Sequence, residues 1–166
     1  MYSINDTYKV ADVAESLQPK IPTFYTLSSL DIAIMIAVEA HAGQVDKQGA
    51  PYILHVLRVG ARGITREEQI CGILHDLMED VPTYDIRKII TIFGPEIYEA
   101  LLCLTHNKDE SYNDYIDRCI TNPISRNVKR HDLLDNQSRL EGLPKGDQVR
   151  LLKKYQYALA QLGKYE

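Results

Sequence analysis

Long apolar runs are missing from this chain. The longest, Ile32 to Val38, is far short of the ~20 residues a membrane-spanning helix needs, so no span is expected. Cysteine is scarce. Cys71, Cys103 and Cys119 are odd in number and form no C-x-x-C, which argues against a disulfide scaffold. Each falls in an apolar-periodic segment, so three buried thiols are expected, in keeping with a reducing cytoplasm. A basic excess is also absent. The 19 Lys and Arg against 23 Asp and Glu leave a net charge of −4, which argues against a general nucleic-acid binder. A small anionic ligand held by a few local cations remains compatible with that charge. The N-terminus has no apolar h-region, so no secretory signal is expected there. No internal repeat, low-complexity stretch or sustained period-2 alternation occurs. Tryptophan is absent and tyrosine numbers 11, an imbalance that points to no function by itself.

Helical periodicity fills the space these absences leave. Ser28 or Ser29 can cap a helix to about Ala42, and Gly43 with Gln44–Ala50 reads as a loop. Pro51 opens a helix carrying His55, Val59 and Ala61. Thr65 with Glu68 is a capping box for a helix to about Asp80. Pro82 ends that helix, and Thr83 caps the next one, to Phe93. Gly94-Pro95 is a stop and restart leading to about His106. Ser111 and Asp114 begin a short helix to Asn122, Pro123 a longer one to about Leu140. After a loop, Glu141 to Gly146, a terminal helix runs from Asp147 to about Leu162. The reading is an all-α, single-domain helical bundle of about seven to nine helices over residues 28–166, with residues 1–27 as an N-terminal extension. The stripe Leu151, Leu152, Tyr155, Leu159 and Leu162 on the terminal helix is expected to pack on its own domain, a homo-oligomer interface being the alternative.

The segment QICGILHDLMED carries the chemistry. At 100° per residue its apolar side chains share one face, while His75, Glu79, Asp76 and Asp80 form one arc on the other. A solvated polar face would explain the arc. Against that, imidazole and carboxylate are adjacent, and no Lys or Arg follows in the next turn to pair the acids. Imidazole with carboxylate is a ligand set for Zn, Mn or Fe. In NVKRHDLLDN, Asp132 and Asn136 lie in the middle of an arc expected to face the core. A buried carboxylate there needs a partner, either a divalent ion or a salt bridge to Lys129 or Arg130. His55 is the best additional imidazole, though a lone histidine on an apolar face is often just a hydrogen-bonded core residue.

The pieces AHAGQVDKQGAPYILHVLRVG, ILHDLMEDVPT, FGPEIYEALLCLT and VKRHDLLDN occur in the order and rough spacing of HD-superfamily hydrolases. Over roughly Leu30 to Leu140 the chain resembles the hydrolase domain of the RelA/SpoT family and its small stand-alone relatives. The resemblance implies an HD-domain bundle in which His55, His75, Asp76 and Asp132 ligate one divalent metal, most often Mn²⁺. Glu79 and Asp80 match the acidic pair that assists catalysis, and which of them is acid or base stays open. Asn136, Lys47 and Tyr52 match residues that contact the nucleotide or its phosphates. His41 is read as a packing or supporting histidine. Arg58 could join Lys47 in offsetting phosphate charge.

The resemblance has departures. Asp46 stands where the alarmone hydrolases typically have an Arg before the Lys, Val56 replaces a Pro, and His131 and Asp135 replace Ala and His. None is expected to affect metal binding. Asp46 does bear on the substrate, since it exchanges a phosphate-binding cation for an anion; if it excludes the alarmone, Asp46→Arg should improve turnover. The implied activity is metal-assisted removal of the 3′-pyrophosphate from a (p)ppGpp-like nucleotide. Two alternatives stand beside it: a phosphohydrolase for another nucleotide or phosphorylated metabolite, and a non-catalytic nucleotide-binding regulator. The expected partner is a small-molecule nucleotide, not nucleic acid or membrane, with monomer or homo-oligomer open. Alarmone synthesis would need a separate domain, for which the residues after Leu140 are too few.

Overall fold

The computed structural model describes residues 26–81 and 84–165. Most of the expected N-terminal extension lies outside them, as do the expected helix stop at Pro82 and cap at Thr83. The described residues form α1 (Ser29–Ala40), α2 (Ile53–Ala61), α3 (Arg66–Leu74), α4 (Leu77–Asp80), α5 (Arg87–Phe93), α6 (Pro95–Leu104), α7 (Tyr112–Thr121), α8 (Pro123–Ser138) and α9 (Lys145–Leu162), with two short 3₁₀ turns. No β-strand occurs among them, only an isolated bridge between Val45 and Pro51. The all-α expectation is borne out. None of the described helices is long and apolar enough to cross a membrane.

The punctuation residues act as their chemistry requires. Ser28 Oγ accepts the Asp31 amide while Asp31 Oδ2 accepts the Ser28 amide. Thr65 Oγ1 likewise accepts the Glu68 amide at 3.1 Å, and Glu68 returns a carboxylate to Thr65 and Ile64. Gly94 sits at φ 87°, a value that favours glycine, and Pro95 begins α6. Ser111 and Asn122 cap α7 and α8.

One helix differs from expectation. The run from Thr65 to Asp80 is broken, with a turn at His75-Asp76 between α3 and α4. The His75 ring bonds the Gly72 carbonyl at 2.9 Å, the acceptor a continuing helix would offer the Asp76 amide. Breaking the helix there turns His75 inward and gives Asp76 a direction independent of α3.

Two apolar clusters hold the bundle. The larger joins α1 through Ala33 and Ala37, α2 through Val56 and Val59, and α3 to α6 through Leu74, Leu77, Ile89 and Leu101. The smaller packs Ile116, Cys119, Leu133, Ala158 and Leu162 from α7, α8 and α9. Helix α8 belongs to both, through Val128 and Leu133. The α9 stripe therefore does pack on its own domain. Cys71 and Cys119 are buried, but Cys103 is half-buried, because the inward face of α6 is Ile97, Ala100, Leu101 and Leu104 and Cys103 lies off that arc.

Candidate metal centre

Helix α2, the α3–α4 turn and helix α8 converge on one point. His55 Nε2 lies 3.3 Å from Asp132 Oδ1 and 3.7 Å from Asp76 Oδ2. His75 Nε2 lies 3.0 Å from Asp76 Oδ2 and 3.7 Å from Asp132 Oδ1. A cation bound at about 2.1 Å holds its neighbouring ligand atoms about 3.0–3.4 Å apart, from octahedral to tetrahedral. The spacings of 3.0 and 3.3 Å fall in that range, and the two of 3.7 Å lie just beyond it. His55, His75 and Asp76 each offer one atom within 4.8 Å of the others.

The hydrogen bonds behind the histidines fix which nitrogen faces inward. His75 Nδ1 must carry its proton, because its partner is the Gly72 carbonyl, which can only accept. His55 Nδ1 lies 2.9 Å from Asp135 Oδ2, a carboxylate that burial would push up but that Arg58 and His55 hold down at about 2. Ionised, Asp135 can only accept as well. Both rings thus turn Nε2 into the cluster, the orientation a metal-binding histidine needs. His75 Nε2 is buried with no hydrogen-bond partner among the described residues. The donor set fits a divalent cation.

The electrostatics agree. Burial opposes charge on His75, yet Asp76 and Asp132 raise its pKa well above the ordinary histidine value. Burial would likewise raise Asp76, but the neighbouring His75 outweighs it and holds Asp76 below the usual carboxylate range. Two carboxylates, buried Asp132 and half-buried Asp76, thus draw positive charge into the cluster. The alternative partner for Asp132 is also present. Lys129 Nζ donates to Asp132 Oδ2 at 2.8 Å, and Asn136 Nδ2 donates to Oδ1. The salt bridge uses the oxygen turned away from the histidines, so it coexists with the cluster.

A cavity of about 450 Å³ opens beside the centre, lined by His55, Asp76 and Asp132 and by the sequence candidates Lys47, Tyr52 and Asn136. The Tyr52 hydroxyl donates to Asp76 Oδ2. Glu79 and Asp80 do not line this cavity. Glu79 Oε1 accepts the His106 amide at 2.6 Å, and Asp80 Oδ2 accepts Gln44 Nε2 at 2.8 Å. Gln44 Oε1 in turn accepts from His41, which is buried against the Tyr52 ring, the supporting position expected of that histidine.

Two expectations need correction. Arg58 is not free for phosphate, because its Nε and Nη2 clamp Asp135 at 2.8 and 2.9 Å. The departure at Asp135 does touch the centre, through His55. Sequence reasoning also missed the cavity residues Tyr112, Arg139, Lys154 and Tyr155. For Tyr155 the signal was its place in the α9 stripe, and for Lys154 its position between Leu151 and Tyr155. Nothing local marked Arg139.

Several known proteins are similar to the chain in sequence or in fold. No protein-family model matches the chain. A guanosine-3′,5′-bis(diphosphate) 3′-pyrophosphohydrolase of Borreliella burgdorferi is 27% identical over 175 residues, covering 92% of this chain and 25% of that protein. A protein of the same name from Spiroplasma citri is 33% identical over 98 residues, 54% of this chain and 12% of that one. The chain spans a quarter or less of the length of these relatives. A solved structure described as a metazoan ortholog of SpoT that hydrolyses ppGpp superposes with a TM-score of 0.65 at 20% identity, covering 83% of this chain and 86% of that one. The resemblance to a RelA/SpoT hydrolase-type HD domain is borne out, and the fold is shared with the metazoan protein.

Proposed function

We propose that the chain is a metal-dependent phosphohydrolase that removes the 3′-pyrophosphate from a (p)ppGpp-like nucleotide. The observation that carries this is the inward-facing pair of histidine Nε2 atoms, one of them unpartnered, set against the buried carboxylate of Asp132 and the half-buried one of Asp76 beside a nucleotide-sized cavity. His55, His75, Asp76 and Asp132 would hold one divalent ion, Mn²⁺ by the resemblance, which when bound supplies Lewis acidity to a phosphoryl oxygen and to water. Tyr52 steadies Asp76. Asn136 fixes Asp132 and keeps its amide oxygen for the nucleotide. Lys47 offsets phosphate charge at the cavity rim. Glu79, one turn beyond Asp76, is placed to move a proton, and Asp80 acts through Gln44. A small nucleotide partner and a cytoplasmic location accompany this reading.

Asp46 favours a second reading, hydrolysis of a different nucleotide or phosphorylated metabolite, because it removes the cation the resemblance places in that loop. One experiment separates the two. The purified chain is assayed for bound metal and for Mn²⁺-dependent release of phosphate and pyrophosphate from a nucleotide panel that includes the alarmones, with Asp76→Ala beside it. Metal-dependent pyrophosphate release that the variant lacks supports the first reading. Activity on other nucleotides alone supports the second, and no metal or equal activity in the variant sinks both.

A further inference from the structure

Asp46 removes a cation from the loop, yet a guanidinium occupies that corner of the cavity. Asp46 Oδ1 accepts the amides of Gln48 and Ala50 at 2.8 and 3.0 Å, closing its own loop. Its Oδ2 accepts from Arg139 Nη2. Arg139 caps the end of α8, two turns and roughly 10 Å past Asp132 along the helix. The loop grips it a second time, since Gln48 Nε2 donates to the Arg139 carbonyl and Gln48 Oε1 lies 3.3 Å from Nη2. The Arg139 side chain is 27% exposed and lines the cavity. Among the described residues its Nε and Nη1 have no partner, so donors on the planar group remain for a ligand.

Besides Lys129, which is paired with Asp132, two further cations border the same cavity. Lys47 and Lys154 have no ion-pair partner among the described residues, and Lys154 Nζ stands 3.8 Å over the Tyr112 ring. Burial lowers the Lys154 pKa, and the like charges of Lys129, Arg150 and Lys47 lower it further. Cations gathered against one another around a cavity are stabilised by an anion between them.

We propose that Arg139, oriented by Asp46, is a specificity-determining residue that binds a phosphate group of the substrate remote from the His/Asp centre, with Lys47 and Lys154 completing the anion subsite. The proposal rests on the phosphohydrolase reading for its substrate class. The loop cation is thereby relocated to α8, and Asp46 is its anchor. This reverses the expectation for Asp46→Arg, which would remove the anchor and set two guanidinium groups together, so turnover falls.

The test uses the full chain, Arg139→Ala, Asp46→Asn and the double variant. Asn at 46 retains an oxygen for the loop amides and loses the ion pair. Two quantities are measured: KM and kcat for the nucleotide that is turned over, and the Kd for inorganic pyrophosphate with divalent metal chelated, so that only the cations report. Arg139→Ala is expected to raise KM and the pyrophosphate Kd by about 10–100-fold, with the loss falling on KM more than on kcat. Asp46→Asn moves both the same way by less, and the double variant is no worse than Arg139→Ala, because Asp46 acts through Arg139. An unchanged KM and Kd in Arg139→Ala overturns the proposal, and fully additive losses overturn the anchoring role. If the wild type hydrolyses no nucleotide, the phosphohydrolase reading fails separately, and the pyrophosphate titration alone decides this one.

Discussion

Asp135 Oδ2 lies 2.9 Å from His55 Nδ1, and the carboxylate is itself held by Arg58 and Arg62. Its side chain is 1% exposed, so the charge exists there only because two guanidinium groups and the imidazole share it. Asp135 therefore sets the tautomer of His55 and fixes which ring nitrogen faces the cluster. Asp135→Asn keeps the shape and removes the charge. It is expected to weaken metal affinity by about 10–100-fold, read by titrating metal into the apoprotein. Unchanged affinity would mean that His55 needs no orienting carboxylate.

The spacing of His55 and His75 depends on two glycines. A Cβ on Gly72 would lie 2.7 Å from Gly60 Cα and 2.9 Å from Gly60 N, and one on Gly60 would lie 2.9 Å from the Gln69 carbonyl oxygen. Helices α2 and α3 thus touch backbone to backbone; α2 carries His55, and α3 ends directly at His75. Gly72→Ala must push them apart, at a cost of about 1–3 kcal/mol and a Tm lower by roughly 3–10 °C. Gly146, with nothing within 4 Å of its added Cβ, is the control; Gly146→Ala should cost nothing. Equal melting of wild type and Gly72→Ala would show that the crossing can relax.

The sequence pattern made most of this legible, for reasons that can be located. Capping boxes at Ser28 and Thr65 and the Gly94-Pro95 restart act within one turn of chain, so their spacing reads directly as structure. The convergence of His55, His75, Asp76 and Asp132 was legible through resemblance and through the cost of burying a carboxylate. The turn at His75-Asp76 was not, because one side-chain bond to the Gly72 carbonyl overrides an uninterrupted helical pattern. Contacts such as Asp46 with Arg139, 93 residues apart, and His55 with Asp135, 80 apart, leave no trace in local spacing. They fix the chemistry of the pocket all the same.

The roles of Glu79 and Asp80, which spacing left equivalent, differ in their surroundings. Burial pushes the Glu79 carboxyl up, Asp76 adds to this, and the His106 amide opposes it. That suits a group that holds a proton and gives it up. Asp80 is tied into the Gln44–His41 chain. Glu79→Gln is expected to lower kcat by about 10²–10⁴-fold while metal content is retained. Asp80→Asn, which disturbs only a supporting chain, should cost less. The opposite order, measured as kcat at saturating substrate and metal, would exchange the two roles.

Arg118 closes the end of α6 and makes acid stability testable away from the centre. Its Nη1 and Nη2 donate to the Leu102 and Thr105 carbonyls at 2.5 and 2.7 Å, acceptors the helix end leaves without amides. Its Nε and Nη2 donate to Glu110 at 2.8 and 2.6 Å. Those bonds hold the Glu110 carboxyl at about 2, below the roughly 4.3 expected for an unfolded chain. A depressed carboxylate contributes its stability above the unfolded value and loses it as pH falls toward the folded one. Glu110→Gln should therefore melt below the wild type at pH 7, and the gap should close as pH falls from about 4.3 toward 2. A Tm difference that stays constant across that window, measured by thermal denaturation at fixed ionic strength, would show that the pair stabilises by packing rather than by charge.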